Sequence, residues 1–461
     1  TEHGVIAGTD PLGLAPLFYL TVYKVPLVSD SVEPLLDKKP PTATDLNDSA
    51  IVGHIAGPYA PEPGNTFFSH IRAVKPGTVV VIEDGRQSEY QYWSASEIDL
   101  QSSLSLKRSA ERLRIVLMES IASYVPDRRV ACTLSSGMDS STVLAGLRNN
   151  DADVLAVTWT TPRNPEADET KWVRLTAERF GVPLVEIPMT SDDLVDVDNI
   201  AIRRAAPLVS IFNGMFLKTA ERLSLEGIDL QFTGFSGDHL FSMDPGSDLL
   251  ISLRLSGMWR YLRNMQQRYG STRRMLRREL IGPIGRQLLP RTWARRRRPV
   301  RWLHPDQHEL WRERQLGSIG PGTLPGQADR VAGIEDGMIS YLADDLAYRV
   351  ASHGVMLRHP LMDHRVVEAA LSIPSWHLDD GVTDKVVLRE AMRGILPDEV
   401  LDLEKIDPGP VAEEALRDRA EWLIQLTRDM RAADLRYISE PAFAEYVSAF
   451  HPTLFADGME L

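Results

Sequence analysis

Val130-Ala131-Cys132-Thr133-Leu134-Ser135-Ser136-Gly137-Met138-Asp139-Ser140-Ser141 reads as a short buried strand, a turn of small residues and the first turn of a helix. Val143, Leu144 and Leu147 continue it at helical spacing. Ser135, Ser136 and Gly137 carry little bulk, so successive backbone N–H groups can converge on one concavity at a helix N-terminus. The helix dipole favours an anion there, and phosphate is the natural occupant. Asp139 would repel bare phosphate unless a divalent cation lay between them, which implies Mg2+ bound with a nucleotide. Taken alone, the loop is equally an ordinary Ser/Gly turn capping a helix.

A second junction changes that balance. Leu230 to Thr233 is another short strand candidate and runs into Gly234-Phe235-Ser236-Gly237-Asp238-His239-Leu240-Phe241, again a glycine-bearing turn with an acid at its end. In a parallel sheet such junctions share the carboxyl edge, where ligands bind, so Asp139 and Asp238 are placed to share one metal. Between the two junctions the pattern runs strand (Val154 to Trp159), helix (Asp168 to Phe180, stopped by Gly181), strand (Leu184 to Ile187). This alternation gives an α/β fold with a doubly wound parallel sheet. Thr158-Trp159 would end the second strand beside the phosphate loop, where backbone groups can meet adenine. Beyond about Glu335 the pattern turns helical, with helices expected near Met338 to Ser352, Arg365 to Leu371, Lys385 to Arg393 and Val411 to Ala432. Before about Ala95, extended segments with Gly/Pro turns predominate, and no internal repeat is present.

The 461 residues suggest two or three domains, and 43% hydrophobic content is ample for large cores. A single cysteine, Cys132, excludes an internal disulfide, and its place in a strand candidate makes it a core residue. No run approaches the roughly 18 apolar residues of a membrane span, so no membrane role and a cytoplasmic location are expected. The net charge of −13 conceals a local imbalance: Arg254 to Arg301 holds fifteen arginines against one acid, Glu279. Its acidic surroundings argue against nucleic acid. A solvated insertion and a contact for an acidic peptide or partner are the readings left.

On these two loops the chain resembles the ATP-pyrophosphatases of the asparagine synthetase type (adenine nucleotide alpha hydrolase-like), whose first loop reads Ser-Gly-Gly-x-Asp-Ser. Ser136 stands where that loop usually has its first glycine. The resemblance continues in Arg358-His359-Pro360-Leu361-Met362-Asp363, in Lys385-Val386-Val387-Leu388-Arg389-Glu390 and in Leu396 to Lys405. Upstream, Ala7-Gly8-Thr9-Asp10-Pro11-Leu12-Gly13, Phe67-Phe68 and Pro76-Gly77 look like the later part of that family's glutaminase-type (Ntn-type) β-rich domain. The expected organisation is a partial glutaminase-like domain over residues 1–97 and an ATP-dependent synthetase domain over 105–461, with the Arg-rich insertion at about 254–302. The chain would enter the first domain midway, so Thr1 is not read as a catalytic N-terminus.

What the resemblance implies for the site is specific. Ser135, Ser136, Gly137, Asp139, Ser140, Thr158 and Gly234 would bind ATP, Asp139 and Asp238 would hold Mg2+, and both aspartates would act in catalysis with Lys405, the family's late lysine. Lys405 would neutralise charge building on phosphate and on the tetrahedral adduct, although Asp402, Glu404 and Asp407 around it also suit a surface lysine. Lys385 is a second lysine for the same region. Asparagine synthetases and beta-lactam synthetases carry a glutamate two residues before the arginine of Arg-x-Pro-x-x-Asp, where this chain has Met356, which cannot serve as a base. Arg358 and Asp363 are expected as a buried pair. The Met356 departure, the Ser236-Gly237-Asp238-His239 loop and the Arg-rich insertion resemble the cyclases of lasso peptide biosynthesis. That resemblance implies macrolactam closure of a linear precursor core peptide, with a leader peptidase and a leader-recognition protein as possible partners. An amidotransferase using glutamine or ammonia is the main alternative. A beta-lactam-type synthetase and a nonhydrolytic nucleotide-binding scaffold rank behind it.

Overall fold

A computed structural model of the chain describes residues 4–57, 60–83, 85–101, 103–190, 205–207, 213–242, 248, 259, 261–264, 299–314, 325–403, 406, 409–419 and 430–448. Lys405 and nearly all of the Arg-rich stretch therefore lie outside the described residues.

Five strands form a parallel sheet: β7 (Val130–Thr133), β8 (Val154–Thr160), β9 (Leu184–Pro188), β10 (Leu230–Phe232) and β11 (Met356–Arg358), in the order β11-β10-β7-β8-β9. The chain runs outward from β7 through β8 to β9, then returns to the other side of β7 for β10 and β11. The reversal falls between β7 and β10, so the loops leaving those two strands flank the switch point at the carboxyl edge. Both faces of the sheet are covered, which explains the unbroken apolar character of β7: Val130 and Cys132 enter one core and Ala131 the other. On the first face lie α3 (Leu106–Tyr124), α4 (Met138–Asn149) and the helices His364–Ser372 and Val386–Met392. Helices Asn213–Leu225 and Met338–Ala351 cover the second. Burial pushes the Cys132 thiol up to about 12, as befits a core residue.

Helix α5 (Thr170–Phe180) ends at Gly181, whose φ of +62° closes it in the left-handed conformation that glycine adopts without strain. Three elements differ from the sequence expectation. Residues 356–358, in the stretch expected to be helical, form the edge strand β11. The segment before Ala95, read as extended, also holds α1 (Glu33–Lys38) and α2 (Asp48–Ala56) among its strands. The expected helix from Val411 to Ala432 is described as Gly409–Asp418 and Arg431–Asp434, with residues 420–429 outside the described set.

Ahead of the parallel sheet lie two three-stranded antiparallel sheets. One orders β1 (Gly4–Gly8), β5 (Thr78–Glu83) and β6 (Arg86–Gln91), the other β3 (Val25–Ser29), β2 (Phe18–Val22) and β4 (Arg72–Ala73). Ala7, Val80 and Ile82 of the first pack against Tyr19 of the second. Trp93 Nε1 donates to Glu368 Oε1 at 2.9 Å and Ser340 Oγ to the Gly13 carbonyl at 2.7 Å, fastening this layer to the helices His364–Ser372 and Met338–Ala351.

The expected Arg358–Asp363 pair does not form. Asp363 caps the helix His364–Ser372, accepting from the Arg365 N–H at 2.9 Å, and its ion pair is with Arg365 at 2.6 Å. An N-cap carboxylate lies closest to the side chains of its own first turn, so Arg365 reaches it and Arg358, on β11, does not. Arg358 instead donates to the Leu357 carbonyl and lines a cavity.

Candidate active site

Asp139 opens α4 and Asp238 opens the short helix Gly237–Phe241, so the two loops at the switch point each deliver one carboxylate. A third element joins them. Lys385 Nζ lies 2.5 Å from Asp139 Oδ2 and 2.7 Å from Asp238 Oδ1, with its side chain 5% exposed. Burial works against the ammonium, but the two carboxylates outweigh it and raise the Lys385 pKa above the ordinary lysine value. Lys385 has φ +53° and Ser236 φ +61°, conformations that cost a non-glycine residue about 1 kcal/mol or more, and both stand where a loop hands a side chain to this cluster. The Lys385 loop is built to that end. Gly381 N–H donates to Asp379 Oδ1, Val382 and Thr383 N–H to Asp380 Oδ1, and Asn264 Nδ2 to the Asp380 carbonyl.

Serine hydroxyls hold the phosphate loop. Ser135 N–H donates to Ser140 Oγ at 3.1 Å, Gly137 N–H to Ser135 Oγ at 3.2 Å, and the two hydroxyls lie 2.9 Å apart. Ser136 N–H donates to Glu169 Oε2 at 3.2 Å, so one amide of the turn already meets an anionic oxygen, the chemistry that phosphate would use. Glu169, at the start of α5, carries no spacing signal in the sequence; only the fold shows that the entry to α5 faces this turn. The loops after β7 and β10 touch. A Cβ at Gly234 would stand 2.6 Å from the Ser140 nitrogen, and one at Gly237 would fall on the Asp139 carboxylate. Gln231 Nε2 ties the two strands together by donating to Thr133 Oγ1 at 2.6 Å. Thr158 follows Val157, whose carbonyl accepts from Leu134 N–H at 2.8 Å, and so lies beside the loop. Trp159 turns away to pack on Phe216 and donates to Thr219.

Gly234→Ala is expected to weaken nucleotide binding about ten- to a hundredfold, because the new methyl meets the backbone of α4 and overpacking of this kind costs roughly 1–3 kcal/mol. A nucleotide titration checks this, and unchanged affinity would show that the two loops need not touch.

Asp139 and Asp238 fit Mg2+: that ion is usually held by one or two carboxylates together with substrate phosphates, and two carboxylates converging on one ammonium can converge on one cation. Among the described residues no group of three or more His, Cys, Asp or Glu is arranged to hold a metal without such help.

A small-residue turn and paired acids at the switch point of a doubly wound sheet are the features expected of an α/β nucleotide-binding site. The chain belongs to the asparagine synthase family, whose model matches residues 112–452. It is 20% identical over 462 residues to "Asparagine synthetase [glutamine-hydrolyzing] 1" of Bacillus subtilis (strain 168), covering 93% of this chain and 69% of that protein. Family membership carries ATP-dependent ligase chemistry that forms amide C–N bonds, usually with Mg2+. Among the described residues no helix is long and apolar enough to cross a membrane.

Proposed function

We propose that this protein activates a carboxylate of a linear peptide as its AMP ester, releasing pyrophosphate, and that the peptide's own N-terminal amine then displaces AMP to close a macrolactam of the lasso peptide type. One observation carries the choice of acceptor. Met356, half-exposed at 46%, lines a cavity of about 470 Å3 together with Ala343, Ala347 and Ala351. Ammonia, about the size of a water, needs only about 10–15 Å3 of such space. A hollow this large, lined by a thioether and three methyl groups and by Asp10, Arg358 and His359 as well, suits the end of a chain that carries an amine. An α-amine has a pKa of about 7.7–8.0, so a useful fraction is neutral near pH 7 without a carboxylate base at position 356.

When bound, Mg2+ would supply charge neutralisation between the carboxylates and the departing phosphates. Asp139 and Asp238 would hold it, and Lys385, released from them, would turn to the phosphate oxygens. Ser135, Ser136 and Gly137 would cradle the terminal phosphates, and Lys405 would meet charge at the reacting centre. We read residues 1–97 as glutaminase-like domain sequence, part of which here serves as a wall of the acceptor cavity.

Mass spectrometry of a linear core peptide with a free N-terminal amine and an Asp or Glu side chain, incubated with ATP and Mg2+, tests the reading. The expected product has lost one water, with AMP and pyrophosphate formed, whether or not ammonium or glutamine is added. A product that requires ammonia moves the assignment to the amidotransferase.

A further inference from the structure

His359 stands at the end of β11, where the chain leaves the sheet beside the same cavity. Its ring is fixed on two sides. Nδ1 lies 2.7 Å from Thr233 Oγ1, and the ring packs on Phe235 at a tilt of 44° with centroids 4.7 Å apart. Thr233 is itself anchored, its N–H donating to the Arg358 carbonyl at 3.1 Å and its hydroxyl accepting from Phe235 N–H at 3.2 Å. The next residue, Gly234, is the one that abuts Asp139 and Ser140. The imidazole is thus one residue removed from the loop that faces the nucleotide, and it also lines the hollow assigned above to the amine. Asp10 lines the same hollow, its carboxylate oriented by the N–H groups of Leu12 and Ala15, a charge that would attract an ammonium.

We propose that His359 is the catalytic residue that receives the attacking amine, an inference that rests on the ligase reading and deepens it. In the tautomer whose Nδ1–H donates to Thr233 Oγ1, the one this role requires, the lone pair lies on Nε2. The amine nitrogen bonds to the acyl carbon, the C–O bond to AMP breaks, AMP leaves with that electron pair, and the nitrogen's proton passes to Nε2 and on to water in the cavity. Burial and the neighbouring Arg358 pull the His359 pKa down to about 4, so the ring enters the reaction neutral at physiological pH. The function thereby moves from position 356, where Met356 has no basic atom, to a ring on the same cavity.

His359→Asn tests this, because an amide at the Nδ1 position keeps the Thr233 contact while Nε2 is lost; His359→Gln serves as the second variant. Each is assayed with the linear core peptide for carboxylate-dependent exchange of pyrophosphate into ATP and for amide formation. Exchange within about twofold of the parent protein, with amide formation lowered about a hundredfold, is the expected result for loss of a proton acceptor. Added imidazole should restore part of the amide formation, and hydroxylamine should trap the waiting adenylate as a hydroxamate. A parallel fall of exchange and amide formation, or unchanged amide formation, overturns the assignment of His359 alone. No exchange by the parent protein with any carboxylate peptide overturns the ligase reading and this proposal with it.

Discussion

Asp139→Asn and Asp238→Asn are each expected to lower turnover by about three orders of magnitude while leaving a folded protein. Two unit charges about 4 Å apart interact by roughly 4 kcal/mol at the effective dielectric near a protein surface, and that is the scale on which one carboxylate holds a cation against the phosphates. The two variants should differ in stability. Asp139 is largely covered, with its side chain 15% exposed, and shares Lys385 at 2.5 Å; Asp238 is 51% exposed and partly screened. Thermal unfolding should show the larger loss for Asp139→Asn, and pyrophosphate exchange should be lost in both. Full activity in either variant would dispose of a shared cation site.

The legible parts of this fold are those where local chemistry and tertiary role coincide. β7 is apolar at successive positions because both faces are covered, and its loop is small because α4 and the loop after β10 crowd it. Gly181 stops α5 by backbone chemistry that a sequence displays directly. β11 was hidden for the opposite reason: Met356-Leu357-Arg358 buries one residue in three, as an edge strand beside a cavity does, and so carries no apolar run. Helices α1 and α2 span 6 and 9 residues among Pro and Gly turns, too short for a periodicity to stand out. Asp139 and Asp238 could be paired from sequence because strand-to-loop junctions obey a topological rule. Thr233 and His359, 126 positions apart, are joined only by the adjacency of β10 and β11. Lys385 stands among the sequence's lysines for this region, but its contact with both carboxylates is not legible there, since a left-handed residue ahead of an apolar helix aims its side chain in a way that no spacing encodes.

Lys385→Met is the variant that separates the two roles this cluster must play. With the nucleotide absent, the ammonium neutralises two acids, one of them well covered; removing it leaves their charges facing each other. Breaking a buried pair typically costs about 3–5 kcal/mol, and the exposure of Asp238 should bring the loss toward the lower end of that range. A divalent cation can take the same place between the carboxylates. Added Mg2+ should therefore raise the unfolding temperature of Lys385→Met more than that of the parent protein, although the variant has lost at least about a hundredfold in turnover because nothing replaces the ammonium at the phosphates. The pH dependence has a definite sign. The folded pKa of Lys385 is raised, so its stabilisation is complete below the ordinary lysine value and fades only as pH climbs through the raised one. The stability gap between parent and variant should stay constant from pH 7 to about 9 and close in stronger base. Lys385→Arg should not restore turnover, because a planar fork cannot occupy a position that a compact ammonium shares between two carboxylates. If Mg2+ stabilises parent and variant equally, the ammonium and the cation do not compete for Asp139 and Asp238, and Lys385 is a structural ion pair that stays on the carboxylates when nucleotide binds.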